Sequence, residues 1–348
     1  MRAIARYAYL NTRVSEMASR LLADQEIDSL IEGHSDSQRA ILQAGALVGR
    51  KPDAAADAGL SLEQRLIANL LADFAILVRA LDGAARSFFV YWGCRFELSN
   101  LKTILRGKMV NEPAAQIRAQ LVDMGPYGRL PVDDLLGTQD VAELLRRLER
   151  TPFAAVAREA RRIYEERQAL FAVDAAVDRR YYAELQEHVQ SLDGSDQREL
   201  GPLVADMVDR TNLLWLLRYR FSYGLPPAQT YYLLVPAGSQ LRPLLLQQLS
   251  RLESVAEVIA RLPRVFAAPL AGVVTVTDAT LVLERGGWRR AEKILKSRAV
   301  GLARILAYLV LREKLLRQLR AVSKGRRLGF ASDLIRQATG IAAAFVAR

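Results

Sequence analysis

A chain of 348 residues that is 51% hydrophobic and 25% charged has ordinary globular composition and enough length for a large core, which argues against disorder. Its single cysteine, Cys94, excludes an internal disulfide and a cysteine-built zinc site, and such cysteine poverty fits a reducing compartment. The net charge of +11 is unevenly distributed and gathers in the C-terminal third, a pattern that fits phosphates, anionic lipid head groups or an acidic partner and equally a solvated face.

The opening segment MRAIARYAYLNTRV has no apolar stretch long enough for a signal peptide and no small-residue cleavage site, so a cytoplasmic chain is expected. Next, His34, Ser35 and Asp36 stand side by side in EGHSDS, but a catalytic triad is defined by geometry in space. Ser35 followed three residues later by Gln38, ahead of ILQAGALVG, predicts a helix-opening capping box instead. GALVGRK (Gly45 to Lys51) shares little with a phosphate loop: its glycine spacing is one short, and Pro52 removes an amide where the phosphate would need one. The apolar window from Leu66 to Leu81 is broken by Asp73 and Arg79, and that from Val265 to Leu283 by Pro269 and Asp278. Neither reaches the roughly 20 clean residues of a membrane-spanning helix.

Cys94, at a helical position, is expected to be a buried structural thiol. It is followed by a phrase that recurs. From Glu97 the chain reads ELSNLKTILRGK, and from Asp209 DRTNLLWLLRYR; a worn third copy reads LREKLLRQLRAVSKGR, with Gln318 under Asn100 and Gly325 under Gly107. On a helix, Glu97, Asn100, Leu101, Ile104, Leu105 and Lys108 share one face, as do Asp209, Asn212, Leu213, Leu216, Leu217 and Arg220. An acid and an amide within an apolar stripe need partners, because burying them bare costs several kcal/mol. The expected structural network is therefore Glu97, Asn100 and Lys108, then Asp209, Asn212 and Arg220, then Gln318 and Arg326. Its alternative role is a recurring partner contact. Arg106, Arg218 and Lys324 fall on the opposite face.

Between and beyond these phrases the composition is helical, as in Ala142 to Phe171, and Gly or Pro breaks fall at GPYGRLP, DGSD, GLPP and PAG. The chain reads as all-α. The exception is Val273 to Thr277, whose β-branched content predicts a short strand. Copies about a hundred residues apart suit three tandem helical domains, 1–112, 113–225 and 226–348. His34 and His188, the only histidines, are expected on the surface, and no His, Cys or Glu spacing supplies a metal site. No catalytic, cofactor-binding or metal residues are assigned. Between Arg285 and Arg327 about fourteen Lys and Arg face two acids, Glu292 and Glu313. Within this run Arg317, Arg320, Lys324 and Arg327 fall on one helix face and are candidates for a partner surface or anionic lipid head groups.

YAYLNTRV, ELSNLKTILRGK, DRRYY (Asp178 to Tyr182), DRTNLLWLLRYR with YGLPP, and AYLVLRE (Ala307 to Glu313) occur in an order and spacing that resembles the C subunit of archaeal and bacterial A/V-type rotary ATPases, a relative of the d subunit of eukaryotic vacuolar ATPases. The resemblance implies three similar helical domains forming a funnel-shaped socket with no active site. It also implies a peripheral position on the cytoplasmic membrane face, as a central-rotor coupling between the central stalk and the proteolipid ring. The third copy departs from the family pattern: Leu315 stands where a second acid belongs and Gln318 where Asn belongs. The polar network there is expected to be weaker, with helices held by apolar packing. The rival reading is a basic helical nucleic-acid-binding protein, against which few aromatics are interleaved with the cations, so no nucleic-acid partner is expected.

Overall fold

The computed structural model describes residues 2–33, 41, 61–167, 170–236, 238–297 and 300–341; the proposed cap at Ser35, His34 and the Gly45 to Lys51 stretch lie outside them. The described residues form seventeen α-helices, a 3-10 turn at Gly125–Tyr127 and a π turn at Arg218–Ser222, with no strand among them. The all-α expectation holds. The chain divides into two compact units, Met1–Asp82 with Gly194–Leu203 and Ile259–Arg348, and Gly83–Asp193 with Val204–Val258.

The first unit is built around one long helix. Helices α1 (Arg2–Ala18), α2 (Asp24–Glu32) and α3 (Leu62–Arg79) come from the N-terminal segment. The C-terminal segment supplies α15 (Val276–Lys296), α16 (Leu302–Arg327) and α17 (Ser332–Thr339). α16 packs against α1, α2, α3, α15 and α17. It buries Leu306, Leu309, Leu315, Leu319 and Val322, so apolar residues occupy more than one of its faces, as a central helix requires.

The strand expected at Val273 to Thr277 is not formed. Thr275 instead caps α15, its Oγ1 accepting the Asp278 amide at 3.1 Å, and the helix begins at Val276. Asp278 in the first turn favours the positive helix end. A threonine cap has no need of a neighbouring strand, and that local bond outweighs the β-branched propensity.

The second unit contains α4 (Gly83–Met109), α5 (Ala114–Gln120), α6 (Val132–Leu136), α7 (Val141–Leu148), α8 (Ala154–Arg167) and α9 (Leu170–Gln190). Helix α10 (Gly194–Leu217) contributes its residues from Val204, and α11 (Pro227–Leu233) and α12 (Pro243–Ser250) follow. Two short helices, α13 (Val255–Arg261) and α14 (Arg264–Ala267), precede α15. α9 packs along both α4 and α8. Where α9 meets α4, the Tyr91 ring stacks on Tyr181 and on His188, with centroids 5.5 and 4.4 Å away, and its hydroxyl donates to Glu184 at 2.8 Å. His188 is therefore a half-buried packing residue rather than the surface histidine the sequence suggested, and burial pushes its imidazole pKa down. Cys94 is buried as expected, and burial pushes its thiol up to about 11.

Candidate functional site

In the first two copies the polar residues of the phrase grip the chain that follows them. Glu97, on α4, is buried and accepts the amides of Arg129 and Leu130, the latter at 2.7 Å. Asn100 pairs with one residue twice, donating to the Val122 carbonyl at 2.7 Å and accepting its amide at 2.9 Å. Lys108 donates to the carbonyls of Leu136 and Thr138. In the second copy Asp209, on α10, is fully buried and accepts the amides of Ser239, Gln240 and Leu241 at 3.2, 2.9 and 3.1 Å. Asn212 repeats the two-point grip on Val235, and Arg220 donates to the carbonyls of Leu225 and Leu252. One face thus holds an acceptor for backbone N–H, an amide that does both, and a donor for backbone C=O. Each satisfies irregular chain that could not otherwise be buried.

The third copy, on α16, is wired differently. Gln318 is buried and donates to the Thr339 carbonyl at 3.2 Å, and Arg326 donates to the Leu30 carbonyl at the end of α2. The place of the acid is taken by Leu315, which is buried. Charge nevertheless enters this interior. Arg312, one helical turn earlier, is 1% exposed and donates to Asp73 Oδ2 at 2.7 Å, while Tyr308 donates to the same oxygen at 3.0 Å. The expectation of helices held by apolar packing is corrected: α16 is tied to α3 by a buried ion pair. Burial pushes the Asp73 carboxyl up, against the downward pull of Arg312 and of the Tyr308 hydroxyl. No short-range spacing announced this pair, because its members lie 239 residues apart.

The kept glycine of the phrase has a packing reason. A Cβ on Gly107 would stand 2.5 Å from the Ile117 side chain of α5, and one on Gly325 would stand 2.6 Å from Ile335 of α17. A larger residue at either crossing would have to displace that isoleucine side chain. The second copy has Tyr219 at that position, in the π turn, and there the chain needs 23 residues from Asn212 to Val235 rather than the 22 from Asn100 to Val122.

The candidate partner surface lies on α16. Arg317, Arg320, Lys324 and Arg327 are all exposed and share the stripe read from their spacing. Two are tied down, Arg317 to Glu284 and Arg320 to Glu63, whereas Lys324 and Arg327 make no ion pair among the described residues. A shallow pocket of 240 Å³ runs beside the last three of them, against Ser61 and Leu66. On the opposite face of the phrase in the first copy, Arg106 is exposed and pairs with Asp174 of α9.

No group of three or more His, Cys, Asp or Glu residues among those described is placed to hold a metal, and no described helix is long and apolar enough to cross a membrane. The buried polar residues of the phrases serve backbone groups, and Arg312 serves the Asp73 carboxylate. The arrangement defines an all-helical protein in which the repeated polar face holds backbone groups of the same chain. The chain belongs to the ATP synthase (C/AC39) subunit family, whose model matches residues 10–338. It is 23% identical over 338 residues to the A-type ATP synthase C subunit of Methanosarcina mazei, covering 95% of this chain and 91% of that one. With the protein of the same name from Thermococcus kodakarensis it shares 23% identity over 348 residues, covering 96% and 90%. The match to that of Methanosphaera stadtmanae is 28% over 214 residues, 61% of this chain and about half, 54%, of the relative.

Proposed function

We propose that this protein is a non-catalytic part of the central rotor of an A/V-type rotary ATPase, transmitting torque between the central stalk and the membrane proteolipid ring. It acts in ATP-driven ion transport or ATP synthesis, as a peripheral protein on the cytoplasmic face. The observation that carries this reading is the family match across residues 10–338, which contains all three copies of the phrase. A part that transmits torque needs rigid joints, and buried carboxylates that hold backbone amides supply them. We propose further that the copies mark three repeats, 1–112, 113–225 and 226–348.

The stripe Arg317, Arg320, Lys324 and Arg327 is the proposed surface toward the ring or anionic head groups, where each cation close to the membrane is favoured by roughly 1 kcal/mol. Lys324 and Arg327 carry most of that role, since Arg317 and Arg320 already have carboxylate partners. Affinity recovery of the tagged protein from detergent-solubilised membranes tests the reading. Head, stalk and proteolipid components are expected together, and a clean failure to recover them from intact complexes would overturn it. Lys324→Glu with Arg327→Glu is expected to weaken recovery of the proteolipid ring; unchanged recovery at physiological salt rejects this surface.

A further inference from the structure

The first and third phrase helices close with the same backbone turn, but only the third carries large apolar residues outward on it. The amide of Glu112 bonds to the Gly107 carbonyl at 2.8 Å, and that of Phe330 to the Gly325 carbonyl at 2.9 Å. Asn111 (φ 53°) and Gly329 (φ 68°) supply the left-handed residue that each closure needs. In such a turn the residue after the left-handed one ordinarily rests on the side chain of the residue whose carbonyl it bonds. Both helices have glycine at that place, kept bare by the crossing isoleucine. The first copy accordingly ends in a charged residue, Glu112, whereas the third ends in Phe330, which finds no side chain there and is 49% exposed.

Two further apolar residues stand beside it. Leu328 is 52% and Leu334 50% exposed, and every residue from Arg327 to Ala331 is exposed. On α17 Leu334 shares its face with Ala331 and Ala338, which are exposed as well. An unbroken run of exposed residues is a protrusion rather than a groove, and a protrusion suits a soft surface. Lys324 and Arg327 flank it on α16, without an ion pair among the described residues, and so keep their charge for an anionic partner. The acids of this region, Asp28, Glu32 and Asp333, gather instead on Arg336. Arg336 lies two positions beyond Leu334 and therefore on the opposite side of α17.

We propose that the turn between α16 and α17 inserts shallowly into an anionic lipid bilayer. Leu328, Phe330 and Leu334 enter the boundary between head groups and acyl chains, while Lys324 and Arg327 meet lipid phosphates. Buried apolar area and cationic attraction add in such a contact. It rests on the membrane-proximal surface proposed above and names lipid as what the apolar tip meets.

The test uses the full-length protein with Ala331→Cys carrying an NBD fluorophore; the native thiol, Cys94, is buried, so the label goes to the tip. Vesicles of phosphatidylcholine alone are compared with vesicles of phosphatidylcholine and phosphatidylglycerol in equal parts. On the mixed vesicles NBD emission is expected to rise and to be quenched by a nitroxide on the acyl chain, and binding to the neutral vesicles is expected to be weaker. Leu328→Ser with Phe330→Ser is expected to weaken partition about tenfold, with helical content unchanged. Lys324→Gln and Arg327→Gln are expected to weaken it about fivefold each at low salt. Failure to bind the mixed vesicles, binding without acyl-chain quenching, equal binding to neutral vesicles, or binding indifferent to the serine pair overturns the proposal. So does a rise in NBD emission when the protein is concentrated without lipid, which would give the tip to a second copy of the chain. A failure on vesicles leaves the rotor reading to the recovery experiment above, and a failure of that recovery leaves the vesicle result standing.

Discussion

The second and third copies of the phrase meet the same physical problem with different chemistry. In the second, a buried carboxylate, Asp209, faces three backbone amides from a segment about thirty residues further on. In the third, the carboxylate comes from α3 as Asp73, and its counter-ion, Arg312, sits on the phrase helix itself. An amide cluster costs no second buried charge, because backbone N–H groups are neutral donors. An ion pair must offset the desolvation of two ions, so it stabilises only while both partners remain. The second arrangement is local and robust, whereas the third depends on two segments far apart in the chain.

Removing one partner of the ion pair breaks this contrast most severely. Arg312→Ala leaves Asp73 buried without its cation and is expected to lower stability by about 3–5 kcal/mol in urea titration. The double replacement Asp73→Leu with Arg312→Met is expected to recover most of that loss. A double variant as unstable as the single one would show that geometry rather than charge holds α3 to α16. In the second copy, Asp209→Ala deprives three amides of their acceptor and is expected to cost about 2–3 kcal/mol, against about 1 kcal/mol for Gln318→Ala. Equal losses at the two sites would erase the distinction between the copies.

The glycine crossings sharpen the likeness of the first and third copies. Gly107→Ala and Gly325→Ala are each expected to cost about 1–3 kcal/mol by overpacking, with partial rescue when Ile117 or Ile335 is shortened to valine. The smallest effect is chemical. With its thiol pushed up to about 11, Cys94 is protonated at neutral pH, so the folded protein is expected to resist a disulfide reagent at pH 8 and react once denatured. Full reaction with the folded protein within minutes would refute its burial.

The helical class and the helix breaks at GPYGRLP, DGSD and GLPP were legible because glycine and proline act locally. The phrase was legible as an amphipathic face, and its acids and amides announced a need for partners. Their partners were not announced, because Val122, Val235 and residues 239–241 contribute backbone atoms, which no side-chain pattern reveals. Asp73 read only as a flaw in an apolar window, and its role became visible when α16 brought Arg312 beside it. The false strand at Val273 to Thr277 arose from weighing β-branched side chains above the Thr275 and Asp278 spacing that opens α15. His188 was misjudged because a polar neighbourhood in sequence hid the ring of Tyr91, which lies on another helix.

The π turn at Arg218–Ser222 has a bearing on the history of the chain. A wide turn is how a helix swallows a single inserted residue without shifting what lies on either side. The Asn212 grip survives intact on a stretch one residue longer, 23 residues against 22, and the π turn lies inside that stretch. A comparison of the copies that forbids gaps will therefore lose the match at this turn. Deleting one residue from Arg218–Ser222 is the edit that should turn the second copy back toward the geometry of the first.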